Sequence, residues 1–264
     1  MPPAYLIAPY FFINGANEEE WLKLNVRFVK EARDISKKKK WDVPIAAELV
    51  ITLPSLISKE SSGSIVDAYT DAKPDLVMLW IDDFSEHDAN EETLKAYVRL
   101  LKDFGDHGIK VANLFGGFFS VATMRFSDLI TNLIAVCHGL EYGERKPVVP
   151  LGGGTPVAKF YSRHLHHRLP PRAAIREMQA IGAFSSRDAF VNGICDCRQC
   201  KDTIKDNPEN DVANYFATKT SAYWRGSSFV SNEFPTASAS YLCTKHYMWC
   251  KEWEYKTIDK TMED

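Results

Sequence analysis

Three cysteines lie within six residues of this sequence, at Cys195, Cys197 and Cys200. Thiolates are soft ligands, and one tight turn can bring all three onto a single tetrahedral zinc ion. A fourth ligand is available downstream, where His246 lies about one helical turn from Cys243 and from Cys250. We predict that His246 completes the site. Four protein ligands leave no open position for water, so the predicted Zn²⁺ is structural rather than catalytic.

The distribution of the cysteines supports metal binding over disulfide formation. Five of the six fall between residues 195 and 250, and Cys137 stands alone in an apolar segment. Such clustering in a reducing compartment favours a metal site. Cys137 is interpreted as a core residue, because a free cysteine packs as a small hydrophobe.

Polar and glycine-rich residues follow four successive apolar segments of the chain. They are Asp82-Asp83, Asn113 with Gly116-Gly117, His138-Gly139 through Glu144, and Gly152-Gly153-Gly154-Thr155-Pro156. The carboxyl ends of parallel strands meet at one edge of a sheet, where ligands bind, and glycines let a ligand approach the backbone. The pattern predicts a site for a small planar ligand, with a carboxylate accepting from its amino and imino groups.

A cationic stretch follows, opposed only by Glu177. Its members are Lys159, Arg163, His164, His166, His167, Arg168, Arg172 and Arg176. Clustered Lys and Arg side chains suit contacts to the phosphates of a nucleic acid. The alternative is a solvated helix face with some core histidines. The net charge of -3 gives no global basic field, so any nucleic-acid contact must come from such a local patch.

The elements that position these residues alternate between strands and helices. Predicted strands are Tyr5–Ile13, Pro44–Ile51, Leu76–Ile81, Lys110–Phe115, Leu133–Leu140 and Pro147–Leu151, most of them continuously apolar. Such runs are typical of strands buried on both faces of a parallel sheet. Predicted helices follow Asn17, Asp88 or Asn90, and Pro170-Pro171, with a shorter one over Ser64 to Ala72. A barrel and a doubly wound sheet both satisfy this α/β pattern.

No apolar run approaches the roughly 20 residues that cross a bilayer, so no membrane partner is expected. The N-terminus has neither a basic region nor a cleavage-site pattern typical of a signal peptide. We therefore expect a cytoplasmic protein.

Taken in order, these motifs resemble the tRNA-guanine transglycosylase superfamily over roughly residues 75 to 250. Gly139 to Glu144 is similar to the family's Gly-Leu-x-x-Gly-Glu segment, and Gly152 to Pro156 to its Gly-x-Gly-Thr-Pro loop. The zinc cysteines follow where the family has them. The likeness is nearer to divergent members from phage and phage-defence islands, some of which modify DNA, and this implies a role in antiviral defence.

The resemblance implies a (β/α)8-type barrel, incomplete at its N-terminus, over residues 1–190, and a zinc-binding region with a C-terminal helix over residues 191–264. It implies that an Asp attacks the sugar C1′ in tRNA or DNA, expels guanine and is displaced by a 7-deazaguanine base. Asp83 or Asp82 would read the base edge, with Asn113, Gly116, Gly117 and Gly139 completing the pocket. Phosphate contacts would come from Lys159, Arg163, Arg168 and Arg172.

The sequence differs from the family's pattern at the position of the nucleophile. A simple register places Ser185 where the family has its nucleophilic Asp, and Asp188 lies three residues on. No Asp-Ser-Gly-Gly segment is present. Asp188 is therefore the candidate nucleophile of an enzyme, and the alternative is a non-catalytic nucleic-acid-binding or scaffolding subunit. Either form is compatible with a homodimer or a partner subunit.

Overall fold

The computed structural model describes residues 3–126, 128, 130–139, 144–149, 158–223 and 231–258. The chain divides into two units, Met1–Pro150 and Leu151–Asp264. The boundary expected after residue 190 therefore lies within the second unit. The physical reason is a shared core, in which Phe160, Tyr161 and Phe190 pack with the three clustered cysteines.

The first unit is built on a single parallel sheet. Its strands are β1 (Leu6–Ala8), β2 (Ile45–Ile51), β3 (Leu76–Ile81), β4 (Val111–Asn113) and β5 (Leu133–Val136), in the order β1-β2-β3-β4-β5. This order has no reversal, whereas a doubly wound sheet requires one. Right-handed crossovers then place every connecting helix on the same face. The described strands form an open sheet, and a closed barrel is not seen among them.

Five helices belong to this unit: α1 (Glu18–Lys39), α2 (Leu53–Ile57), α3 (Lys59–Ala72), α4 (Glu91–Asp106) and α5 (Phe118–Phe126). The main core contains alternate strand residues such as Leu49 and Leu79, together with Tyr97 and Phe104 of α4. Ala46, Leu76 and Ala112 form a smaller cluster from the intervening strand positions, which face the other way. Period-2 alternation thus gives the sheet two different faces. The helices pack on one face, and the face turned away from them, which carries the smaller buried cluster, is called the open face.

Three predicted strands are shorter than expected, and a fourth is not formed within the described residues. The strand predicted over Lys110–Phe115 covers Val111–Asn113, and the one predicted over Leu133–Leu140 ends at Val136. The strand predicted over Tyr5–Ile13 ends at Ala8, because the Asn25 side chain bonds both the N–H and the C=O of Phe11, at 2.7 and 2.9 Å. Residues 147–149 of the strand predicted over Pro147–Leu151 are not in a strand. There the Val148 N–H donates to Asp82 Oδ1 at 2.7 Å instead of joining the sheet.

The second unit is irregular and mostly helical. Its elements are the antiparallel pair β6 (Phe160–Ser162) and β7 (His167–Leu169), then α6 (Pro171–Ala180), α7 (Arg187–Gly193), α8 (Arg198–Thr203), α9 (Pro208–Phe216), the antiparallel pair β8 (Lys219–Tyr223) and β9 (Ser231–Pro235), and α10 (Ala237–Ile258). Within the described ranges, the parallel sheet begins at Leu6 and stops after β5. Among the residues described, no helix is apolar enough over sufficient length to cross a bilayer.

Candidate metal centre

The three clustered cysteines are held by the turn that starts α8. The Cys197 N–H donates to Cys195 Sγ at 3.4 Å, and the Cys200 N–H donates to Cys197 Sγ at 3.3 Å. Cys197 is the N-cap of α8, so its sulfur occupies the place of a capping oxygen. Hydrogen bonds to a charged group favour its charged form, and the thiolate is the form that binds metal.

His246 reaches this turn from the buried face of α10. Its Nδ1 lies 3.6 Å from Cys197 Sγ and 3.6 Å from Cys200 Sγ. Its Nε2 lies 2.8 Å from the Tyr161 carbonyl oxygen. A carbonyl can only accept, so Nε2 carries the proton and the lone pair of Nδ1 faces the sulfur atoms. This is the usual way in which an outer hydrogen bond fixes the tautomer of a metal-binding histidine.

The donor set fits a tetrahedral ion. One ligand atom from each of Cys195, Cys197, Cys200 and His246 lies within 4.8 Å of all the others, and all four residues are fully buried. Zinc bonds of about 2.3 Å to sulfur and 2.0 Å to nitrogen give ligand-to-ligand edges of roughly 3.5 to 3.8 Å. The observed 3.6 Å contacts match that edge. The cluster can hold a metal ion such as zinc. We call it the Cys3His cluster. Its four members are the residues that were predicted from the sequence as zinc ligands.

Comparison with known proteins finds no matching family model, no similar curated protein and no similar solved structure. The interpretation of the Cys3His cluster therefore stands on its donor chemistry and distances.

The other cysteines have different surroundings. Cys250 lies against the Cys3His cluster, with its Sγ 3.9 Å from Cys195 Sγ. Cys243 is buried, and its thiol donates to the Phe216 carbonyl at 3.6 Å. Cys137 is exposed rather than part of the core. It follows Val136, which packs on the helix-covered face, so strand alternation turns Cys137 toward the open face.

A buried polar network supports the same region of the second unit. Glu254 accepts from the Tyr161 hydroxyl at 2.6 Å, from His166 Nδ1 at 2.8 Å and from Lys251 Nζ at 3.0 Å. Lys251 Nζ also donates to the Tyr161 hydroxyl oxygen at 2.8 Å. Burial raises the pKa of Glu254, but the hydrogen bond from His166 and the charge of Lys251 outweigh it, so the pKa lies below its ordinary value.

We expect Glu254→Gln to destabilise the second unit by about 3–5 kcal/mol near pH 7, because it removes one member of a buried ion pair, the carboxylate that accepts from Lys251 Nζ. Because the pKa of Glu254 is lower in the folded protein than its ordinary value of 4.5, its ionised form stabilises the fold at pH values above 4.5. This stabilisation is lost as pH falls through the folded-state pKa. Urea unfolding at several pH values should therefore show that acid lowers the free energy of unfolding less in the variant than in the wild type. Glu252→Gln is the matched control, since its exposed pair with Lys256 contributes at most about 1 kcal/mol. Equal effects of the two variants would contradict the account.

The acids predicted at the edge of the sheet are both engaged. Asp82 accepts from the Val148 N–H, and the Asp83 carboxylate accepts from Arg145 Nε and Nη2, each at 2.6 Å. Side-chain exposures of 50% for Arg145 and 37% for Asp83 make this a surface pair, which contributes about 0–1 kcal/mol. A ligand could replace Arg145 at small cost. Asp83 also has a φ of 50°, a left-handed conformation that Asp tolerates better than most residues.

Asn113 lies on the helix-covered face of the sheet. Its side chain is buried on the helix-covered side, where Nδ2 donates to the Tyr97 hydroxyl oxygen and to Ser120 Oγ, both at 2.9 Å. The nearby Glu86 carboxylate accepts from the Ser120 N–H at 2.9 Å. The structure thus gives Asn113 a role in joining β4 to α4 and α5.

The two glycines after β4 are required by packing. A Cβ on Gly116 would lie 2.5 Å from Val136 Cγ1, and a Cβ on Gly117 would lie 2.9 Å from Glu86 Oε2. Gly139 is half-buried. Residues 140–143 and 151–157, which carry most of the other two glycine-rich segments, lie outside the described residues.

We expect Gly117→Ala to destabilise the first unit by about 1–3 kcal/mol, because the added methyl must displace the buried Glu86 carboxylate. Gly63→Ala is the control, since a Cβ at Gly63 meets nothing within 4 Å. Gly63 lies inside α3, where Ala is favoured over Gly by about 0.5–1 kcal/mol, so this variant should be more stable. Urea unfolding should show a lower free energy of unfolding for Gly117→Ala and a higher one for Gly63→Ala than for the wild type. Destabilisation by both substitutions would contradict the explanation.

The cationic residues fall into two groups. Arg163 stacks on Trp253, with Cζ 4.3 Å from the ring centroid, and Arg168 stacks on Tyr247 at 4.6 Å. Both are therefore used in packing within the second unit. Lys159 and Arg172 are exposed.

Asp188 lies in the first turn of α7 and is exposed, as is Ser185 just before that helix. Ser186 caps α7 by accepting from the Ala189 N–H at 3.0 Å. Arg187 donates to the carbonyls of Ile204 and Lys201 at 3.0 and 3.2 Å, which fixes the start of α7 against the end of α8. Asp188 thus sits at an anchored helix terminus.

Glu48 is a further candidate site residue, which the sequence motifs did not indicate. It is the one charged residue in the predicted strand Pro44–Ile51. It lies on the open face of β2, opposite in direction to Leu49. Burial raises its pKa above the ordinary value, partly offset by a hydrogen bond from Tyr10 and by the charge of Lys146. Lys146 Nζ in turn lies 4.8 Å from the Trp80 ring centroid. A carboxylate inside an otherwise apolar strand was the signal that could have identified this position.

Proposed function

We propose that this protein is a zinc-stabilised, transglycosylase-like enzyme that exchanges a guanine in tRNA or DNA for a 7-deazaguanine base. The observation that carries the proposal is the buried Cys3His cluster, whose Cys-x-Cys-x-x-Cys…His spacing is the most specific motif of the resemblance. A second support is the consecutive order of the parallel strands, which is the order in a (β/α)8-type barrel. Free thiols throughout suit a reducing, cytoplasmic location.

In this proposal the zinc ion, held by the four ligands, keeps the second unit folded and takes no part in the reaction. The carboxylate of Asp188 attacks the sugar C1′, a bond forms from its oxygen to carbon, and the bond from C1′ to guanine breaks with its electron pair. Guanine leaves and takes up a proton. The incoming base then attacks C1′, loses its own proton and releases the carboxylate.

Asp83 is proposed to read the base edge. Its exchangeable pairing with Arg145 leaves the carboxylate available, and its left-handed backbone is the kind of local strain found at functional sites. Asp82, Gly116, Gly117 and Gly139 are proposed to border the same pocket. Lys159 and Arg172, which are both exposed, are the proposed phosphate contacts.

A non-catalytic relative is the second candidate, and one observation favours it. The Asn113 side chain belongs to a buried network rather than to a ligand site. Such a protein would keep the zinc-stabilised fold and bind nucleic acid, as a homodimer or beside a partner subunit.

Incorporation of labelled guanine into bulk tRNA and into duplex DNA tests the proposal with the zinc-loaded, full-length protein. Incorporation into one polymer supports base exchange and names the substrate. No incorporation into either, by folded protein that contains zinc, would reject the enzyme and favour the non-catalytic relative.

A further inference from the structure

Cys250 lies on α10, one turn beyond His246, and is fully buried. Its Sγ is 3.9 Å from Cys195 Sγ, 3.8 Å from His246 Nδ1 and 3.6 Å from His246 Nε2. The distance to Cys195 Sγ is close to the edge of about 3.8 Å between two thiolates bound to one zinc ion. Cys250 therefore adjoins two of the four ligands of the Cys3His cluster and could approach the metal if either of them were lost.

Burial alone does not account for this placement. Cys243 lies one turn before His246 on the same helix face and is buried to a similar degree, yet its thiol contacts the Phe216 carbonyl. The helix thus offers two buried thiols, and one of them is directed at the Cys3His cluster.

A cation is also present where an additional thiolate would need one. Arg163 stacks on Trp253, three residues after Cys250 on the same helix, and pairs at 3.8 Å with Asp196, which lies between Cys195 and Cys197. Four thiolates around Zn²⁺ carry one more negative charge than three thiolates and a histidine. A guanidinium held beside the cluster would offset part of that charge.

We propose that Cys250 is a fifth donor of the metal centre, which completes a tetrahedral site when one of the four ligands of the Cys3His cluster is lost. The inference rests on the metal-binding part of the proposed function. It assigns alternative donor sets to the site: the four ligands of the Cys3His cluster, and any three of them together with Cys250. The ligands are those that soft or borderline divalent ions such as Zn²⁺ and Co²⁺ accept.

Cobalt loading of single and double variants tests this inference. His246→Gln is chosen because the glutamine amide can still donate to the Tyr161 carbonyl. We expect it to bind one Co²⁺ per chain, with thiolate-to-cobalt charge-transfer absorbance increased in the ratio of four thiolates to three. His246→Gln/Cys250→Ser should lose stoichiometric binding. Cys250→Ser and the control Cys243→Ser should both keep the wild-type spectrum.

Cys195→Ser provides a second pair of variants, which leaves the stacking of Phe160 on His246 intact. It should keep one metal ion, and Cys195→Ser/Cys250→Ser should not. The inference would be overturned if His246→Gln and Cys195→Ser each lost as much metal as the corresponding double variant with Cys250→Ser. The zinc centre of the wild-type protein would be unaffected by that result. A wild-type protein that binds no metal would instead overturn the proposed zinc centre itself.

Discussion

Removal of the metal is expected to unfold the second unit. The core of this unit is arranged around the Cys3His cluster, with the three cysteines packed against Phe160 and Phe216. Structural zinc contributes roughly 10–16 kcal/mol of apparent binding free energy, which is comparable to or larger than the entire stability of a domain, about 5–15 kcal/mol. Chelation should therefore convert the unit to an unfolded chain.

The double variant Cys197→Ser/Cys200→Ser should have the same effect, because it leaves too few donors even with Cys250. Hydrogen exchange measured by mass spectrometry should show lost protection in α10 and retained protection in α4, since the first unit has its own core. The control is Cys137→Ser/Cys243→Ser, which removes two thiols outside the cluster. Protected α10 amides in metal-free protein would mean that the metal is not structural.

Loss of base exchange in Asp188→Ala is the second large effect. If Asp188 forms the covalent intermediate, its removal should lower the rate at least about 10³-fold, the scale seen when a nucleophile is deleted. The cost to stability should be small, because an exposed carboxylate in the first turn of a helix contributes only about 0.3–1 kcal/mol. Labelled-guanine incorporation and urea unfolding of the same preparation measure the two quantities.

Glu209→Ala is the matched control for this variant. Glu209 is also an exposed acid in the first turn of a helix in the second unit, and it accepts a hydrogen bond from Gln179 Nε2 at 2.8 Å. It should show full exchange activity. Full activity in Asp188→Ala would remove Asp188 as the nucleophile, and wild-type activity without any covalent nucleic-acid adduct would argue against a covalent route.

The sequence predicted the local features whose causes are local. Leu76–Ile81 was predicted as a strand with its observed limits, and the helix expected after Pro170-Pro171 begins at Pro171, because periodicity and proline act within a few residues. The four metal ligands were predicted because thiolate spacing is itself a chemical constraint. His246 was preferred to Cys243 and Cys250 as the fourth ligand, and the geometry of α10 places it with the three cysteines.

Features that depend on distant contacts were not predictable. The engagement of Asp83 by Arg145 joins residues that are 62 positions apart. Asn113 follows the alternation of β4 to the helix-covered face, whereas its place at a strand end suggested the ligand side. Arg163 looked like a phosphate ligand because clustered cations suit phosphates, but its stacking partner Trp253 lies on α10. In each case the type of residue indicated a possible role, but the sequence did not indicate which distant residue it contacts.

Zinc X-ray absorption spectroscopy of the wild-type protein, with metal content measured on the same sample, tests the central claim most directly. The account predicts one zinc per chain with three sulfur ligands at about 2.3 Å and one nitrogen at about 2.0–2.1 Å. A folded protein without zinc, or a zinc shell containing a water oxygen in place of a protein ligand, would contradict the closed structural centre.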